Sequence, residues 1–196
     1  MTLGFDFFLH KLQWPVTGTP AWAEKVERWY QLDPAAFALA DAYWTFQSSL
    51  NEPPGWLILA SPAASNFTDA QFAASETPSP AKFVHTLPSI RGVALLQLMK
   101  WSGQVLCLQK DPGTIAYALS EAFRLAEFEE TTVWVATVSQ LKNEWAAAFY
   151  KVGLEGHFQV NASSETPLST RDAEWFEWLD NSSRKYVAEG YEIIKK

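Results

Sequence analysis

Cysteine is all but absent: the chain of 196 residues holds one, Cys107. A single thiol excludes an intrachain disulfide and any zinc site built from several cysteines. Histidine is nearly as scarce. The three present, His10, His85 and His157, never fall three or four residues apart, so a helical two-histidine metal site is excluded. Glycine is low at nine residues, and no GxGxxG, GxxxxGK or GxSxG pattern occurs. A phosphate-cradling loop and a nucleophile elbow are therefore both missing. Positive charge is thin as well: 15 basic residues stand against 22 acidic ones, a net charge of −7. With no Lys or Arg run to concentrate it, nucleic acid and anionic membrane surfaces are disfavoured as partners. No apolar stretch reaches the roughly 18 residues that a membrane helix needs, so no membrane insertion is expected. The opening MTLGFDFFLHKL lacks a basic n-region and a small-residue cleavage pattern, which makes the cytoplasm the expected location. The sequons at Asn66, Asn161 and Asn181 are then chance matches.

What is present is apolar and aromatic. Hydrophobic residues make up 48% and charged ones 19%, the balance of a globular chain, and the length suits one domain. Ten tryptophans are the compositional oddity, and large aromatics serve cores and protein interfaces above all.

Patterning along the chain predicts strands alternating with helices. GFDFFL reads as a strand over residues 4–9, and a helix is expected over residues 22–30. Asp33 as N-cap with Pro34 in the first helical position starts a helix running to about Ser49. WLILA, a continuous apolar run, suits a strand buried on both faces. A short helix over 68–75 follows. Ser89 is placed to cap a helix over 90–101 that Gly103 ends. QVLCLQ is the next strand, and Asp111 with Pro112 opens another helix whose buried face carries Ile115, Ala118, Leu119, Ala122 and Leu125. TVWVATV is a further buried strand. This order argues an α/β domain with a mixed, mostly parallel sheet and helices on its faces. HFQV is a candidate strand, and a long amphipathic helix is expected over 170–194, carrying Trp175, Trp178, Leu179 and Tyr186.

Candidates for chemistry are few. Cys107 with His85 is the one pair able to supply a nucleophile and a base. A lone cysteine inside the apolar VLCL, however, reads more simply as a small buried hydrophobe. Glu127, Glu129 and Glu130 form an acidic cluster that reads as a solvated helix end.

The segment 33–138 resembles the N-terminal lobe of β-ketoacyl synthases, of thiolase-like fold. It is most similar to the short, single-lobe chain-length factors known from aryl polyene clusters. DPAAFALADAYWTF resembles the family's first long helix, and WLILASPAASNFTDAQF its next strand, loop and helix. SPAKFVHTLPSIRGVALLQL resembles the stretch leading to the nucleophile strand. SGQVLCLQKDPGTIAYALSEAF is similar to that strand with its following helix, and TTVWVATV to the next core strand. The resemblance implies a single domain over 1–196, with its core at 33–138 and a divergent part at 139–196.

The departures matter as much. An active synthase keeps its reactive cysteine at the turn between that strand and helix. Here the turn reads Asp111-Pro112-Gly113, a degenerate nucleophile site, and Cys107 lies about five residues too early. The family's two catalytic histidines belong to a second lobe for which 196 residues leave no room. The resemblance thus implies a pseudoenzyme with no catalytic residues, cofactor or metal. Its role would be to pair as a heterodimer with a full-length ketosynthase in polyketide or fatty-acid-like (aryl polyene) biosynthesis. Phe83, Val84, His85, Leu87 and Pro88, with Leu106 and Leu108 on the interface strand, would shape the partner's acyl channel. An acyl carrier protein, itself acidic, would dock through the partner rather than on this acidic chain. Two other readings stand beside this one: a stand-alone homodimeric binding module, and a small acyl-transferring enzyme using Cys107.

Overall fold

The computed structural model describes residues 3–61, 66–77, 80, 83, 88–110, 113–141, 144–154, 156–162, 185–188 and 191–195. Among these residues one sheet of eight strands runs through the whole chain, in the order β3-β2-β4-β5-β1-β6-β8-β7. The strands are β1 (Leu3–Gln13), β2 (Trp56–Ala60), β3 (Gln104–Leu108), β4 (Val133–Leu141), β5 (Glu144–Gly153), β6 (Phe158–Ala162), β7 (Lys185–Ala188) and β8 (Tyr191–Lys195). The helices are α1 (Pro34–Leu50), α2 (Asn66–Ala73), α3 (Val93–Met99) and α4 (Thr114–Phe128). The architecture is the α/β single lobe expected, with a mixed sheet whose parallel core is β3-β2-β4. Outside that core every pairing is antiparallel, from β4–β5 to the β7–β8 hairpin.

The parallel core follows from crossover connections. Helices packed on both faces of β2 leave no side of it for water, which is why WLILA is apolar at every position. Leu57 and Leu59 point to one face and pack with Ala35, Leu39 and Ala42 of α1 and Leu95 of α3. Ile58 and Ala60 point to the other and pack with Ile115, Leu119 and Ala122 of α4. Asp33 caps α1 as its sequence position demands, accepting the Ala36 N–H at 2.7 Å, with Pro34 in the first turn. α1 is buried on a second side too, where Phe37 and Ala40 meet Trp22, Val26 and Ala94.

No element was expected over β5, whose alanine run interrupts its strand-favouring Trp145, Phe149, Tyr150 and Val152, yet it is buried along most of its length between β4 and β1. Ala146, Ala147 and Ala148 favour helix by propensity. In this place their small side chains let α1 and α4 approach the two faces of the sheet. Ala147 and Phe149 lie on the α1 side, Ala148 and Tyr150 on the α4 side.

Several local expectations are corrected. Residues 22–30 form two 3-10 turns, Ala23–Lys25 and Trp29–Gln31, because Arg28 between them adopts a left-handed φ of 55°. The helix expected over 90–101 splits into a 3-10 turn, Pro88–Gly92, and the shorter α3, whose N-cap is Gly92 rather than Ser89. Lys100, left-handed at φ 51°, ends α3 ahead of Gly103. At its C-terminal end the expected 170–194 helix gives way to β7 and β8, because β8 finds a ladder partner in β6, with Ile193 opposite Val160. Trp175, Trp178 and Leu179 lie outside the described residues.

Phe149 is fully buried on the central strand, 6.3 Å ring to ring from Tyr43. Phe149→Ala is expected to destabilise the fold by about 3–5 kcal/mol. Urea unfolding measures this, and a change below about 1 kcal/mol contradicts the central placement of β5.

Candidate functional site

The carboxyl ends of β2, β3 and β4 lie side by side, the position where open α/β sheets hold ligands. A cavity of about 300 Å³ opens there on the α1 face of the sheet. Leu39 of α1, Leu59 of β2 and Ala136 and Val138 of β4 give it apolar walls, while Ser61, Ser89, Arg91, Cys107 and Gln109 bring polar groups to it.

Arg91 organises this end of the molecule. Its side chain is 3% exposed, with Nε 3.7 Å from Asp33 Oδ2 and Nη1 donating to Ser61 Oγ at 3.1 Å. Ser61 in turn sits 3.4 Å from the Val138 carbonyl. Burial lowers the Arg91 pKa, and the carboxylates of Asp33 and Asp69 oppose that shift. The guanidinium thus ties together the start of α1, the turn before α3 and the end of β2. Gly92 lets the turn close down on the sheet: a Cβ there would lie 2.2 Å from Leu59 Cδ1.

β3 is an edge of the sheet, bonded to β2 alone among the described residues. Cys107, opposite Leu59 in the ladder, is exposed, which corrects the expectation of a buried small hydrophobe. The physical reason is position: an edge strand leaves one flank uncovered, whatever its hydrophobicity. Desolvation still pushes the Cys107 thiol up, away from the thiolate that nucleophilic chemistry needs. Leu106 and Leu108 are half-buried and pack toward α4. Val105 is 37% exposed and Phe83 53%, the latter edge-on to Phe72 at 5.8 Å.

The turn after β3 is held differently from the sequence expectation. Gly113, at a left-handed φ of 91°, is the N-cap of α4, which starts at Thr114. Thr114 Oγ1 accepts the Lys110 N–H at 3.0 Å and donates to the Lys110 carbonyl. Lys110 Nζ lies 5.1 Å over the Tyr117 ring. Asp111 and Pro112, the residues expected to cap and open the helix, lie outside the described residues. So do Val84, His85 and Leu87; Pro88 opens the turn that carries Arg91. The structure therefore brings Cys107, Leu108 and Arg91 to one cavity and places Phe83 on the surface. Glu127, Glu129 and Glu130 are exposed. No group of three or more metal-ligating side chains occurs among the described residues, and no described helix is long and apolar enough to cross a membrane.

Sequence reasoning missed two groups. One is Arg91 itself, whose partner Asp33 is 58 positions away in the chain (91 − 33) and carries no signal beyond its helix cap. The other is a network in which Asp41 receives His10 Nε2 at 2.9 Å and Trp22 Nε1 at 2.8 Å. The helical register of α1 turns Asp41 toward β1, a fact that no local motif announces.

No family model and no curated protein sequence matches the chain. Among solved structures, one chain of a ketosynthase in complex with its chain length factor (ApeO and ApeC, from Xenorhabdus doucetiae) superposes with a TM-score of 0.67. The identity is 12%, and 98% of each chain is covered, so the matched chain is about this long. The chain thus shares the fold of that chain, in keeping with the single α/β lobe expected from its sequence. An HMG-CoA synthase from Bacillus subtilis (PksG) overlaps at a TM-score of 0.46 and 11% identity, over 92% of this chain and 51% of that one.

Asp41 has a pH signature. The hydrogen bond from His10 lowers its pKa below the ordinary 3.8; burial opposes this, and Trp22 adds to the lowering. A lowered folded-state value means the stabilisation is fully present above the unfolded value and is lost as pH falls through the folded one. The stability advantage of wild type over Asp41→Asn is expected to hold above about pH 4 and to shrink steadily in more acid solution. Parallel melting curves between pH 2 and 7 measure it, and a pH-independent gap overturns the assignment.

Proposed function

We propose that this chain is a non-catalytic, chain-length-factor-like subunit that pairs with a full-length ketosynthase through the edge strand β3 and shapes its acyl channel. The observation that carries the reading is β3 itself. Natural edge strands are usually blunted by lysine, proline or a bulge. Gln104–Leu108 has none of these and leaves Val105 and Cys107 exposed. An uncharged edge in this state is a template for a partner strand. The likeness of fold to a chain from a ketosynthase–chain-length-factor complex supports the choice of partner.

The absence of catalysis rests on this chain's own groups. The one thiol stands within β3, one residue before its end and three before Lys110, and burial pushes it toward the protonated form. At the turn the hydroxyl of Thr114 is held by Lys110. Phe83, with Val84, His85, Leu87 and Pro88 beside it and Leu106 and Leu108 on β3, sets the channel's length. A packed interior does not yield to a longer chain, so side-chain size alone limits extension. The setting is polyketide or fatty-acid-like synthesis of the aryl polyene type, in the cytoplasm, and an acyl carrier protein docks through the partner.

Co-expression with the ketosynthase of the same system is expected to yield a co-eluting pair. Val105→Lys is expected to separate the pair while leaving the melting temperature of the isolated chain within a few degrees. Two well-folded proteins eluting apart in the unmodified case, or a pair indifferent to Val105→Lys, sinks the reading. In the reconstituted complex Phe83→Ala is expected to shift products toward longer chains, and an unchanged product profile removes Phe83 from the channel.

A further inference from the structure

We propose that a polar cleft at the opposite end of the sheet from Arg91 binds a free α-amino acid with an apolar side chain, its carboxylate on Lys151 and its ammonium on Glu130. The inference goes beyond the partner reading. The cleft lies where β4, β5 and β1 adjoin, and the edge strand β3 takes no part in it.

Strand alternation and register build the site. Phe8, Trp134 and Phe149 belong to the α1 face of the sheet, so Asp6, Thr132, Lys151 and Gly153, each two or four residues along, share that face. The ladder sets Asp6 opposite Lys151 and Gly153 opposite Gly4. A cleft of about 430 Å³ opens over these residues, with Glu130 and Leu154 completing its walls. At roughly 30 Å³ per non-hydrogen atom it has room for leucine or phenylalanine. Leu154, half exposed, offers their side chains an apolar wall. Gly153 keeps the space beside the Thr132 hydroxyl open, since a Cβ there would lie 3.7 Å from Oγ1.

The charges in the cleft are left unpaired. Directly opposite positions on antiparallel strands ordinarily let unlike charges pair, yet Lys151 and Asp6 do not. Asp6 Oδ1 instead accepts the His157 N–H at 3.1 Å and meets His157 Nδ1 at 2.6 Å. Among the described residues neither Lys151 nor Glu130 has a hydrogen bond or ion pair, with each other or with any other group. The cleft thus holds a cation and a separate carboxylate, the complement of a zwitterion. Glu130 carries a second signal, a left-handed φ of 48°. Glycine takes that conformation without strain and glutamate does not. A strained glutamate on the wall of a cleft marks a carboxylate that serves binding rather than folding.

Titration of the isolated chain with leucine, followed by saturation-transfer NMR, is expected to give weak, saturable binding. Leucinamide, which lacks the carboxylate, and N-acetylleucine, which lacks the ammonium, are expected to give none. Lys151→Met and Glu130→Gly should each weaken leucine binding about fivefold or more. Glu130→Gly also separates binding from folding. Relief of the left-handed strain should leave its melting temperature at or above that of the unmodified chain. No saturable binding of leucine, equal binding of leucinamide or N-acetylleucine, or undiminished binding in either variant overturns the proposal. Should Lys151→Met fail to fold, the ligand series and Glu130→Gly still decide. Co-elution with a ketosynthase is read through β3, so failure here and failure of the partner reading are distinguishable.

Discussion

The contact between Asp33 and Arg91 holds the functional end of this molecule together. Both side chains are nearly sealed from water. A buried ion pair is weak evidence of net stabilisation, but removing one member strands the other charge at a cost of about 3–5 kcal/mol. The pair therefore acts less as glue than as a constraint on arrangement. The start of α1, the turn before α3 and the end of β2 must meet at one point for either charge to be tolerated. That meeting point is also one wall of the cavity.

From there the geometry spreads outward through the sheet. β2 sits between β3 and β4 in parallel register, with Leu59 opposite both Cys107 and Ala136. One face of this trio carries the cavity, and the other packs on α4. β4 turns back into β5, and β5 pairs with β1 over ten residue pairs, so the antiparallel half backs the parallel core with a long rigid ladder. On the opposite flank β3 has one partner strand, and its uncharged edge is left open. The asymmetry is what makes a pairing subunit a coherent reading: rigidity lies on one side of β2 and unpaired backbone on the other.

Chemistry fits the same picture. A thiol that is to attack an acyl group needs an electropositive, partly exposed setting, usually at a helix N-terminus. Cys107 is exposed but stands within β3 rather than at the start of α4, and desolvation shifts it toward the neutral form. At the start of α4, where the helix dipole favours an anion, Gly113 and Thr114 serve the backbone instead.

The elements that carry their own signals were readable in the sequence. Asp33-Pro34 starts a helix because an acceptor side chain and a fixed φ act within one turn. WLILA and TVWVATV read as buried strands because short, largely apolar runs between turn residues have few other uses. The resemblance of residues 33–138 to a synthase lobe implied a single α/β lobe, which the fold bears out. Tertiary structure decided everything that depends on a neighbour distant in the chain. The alanines of β5 became a central strand because β4 and β1 flank them and two helices need room. The C-terminal residues became β7 and β8 because β6 was available to pair. Cys107 came to the surface because β3 is an edge, and Arg91 met Asp33 because two loops converge there. Local preference is a matter of tenths of a kcal/mol per residue. Ladder partners, burial and charge pairing act at larger scale, and only the folded chain brings them together.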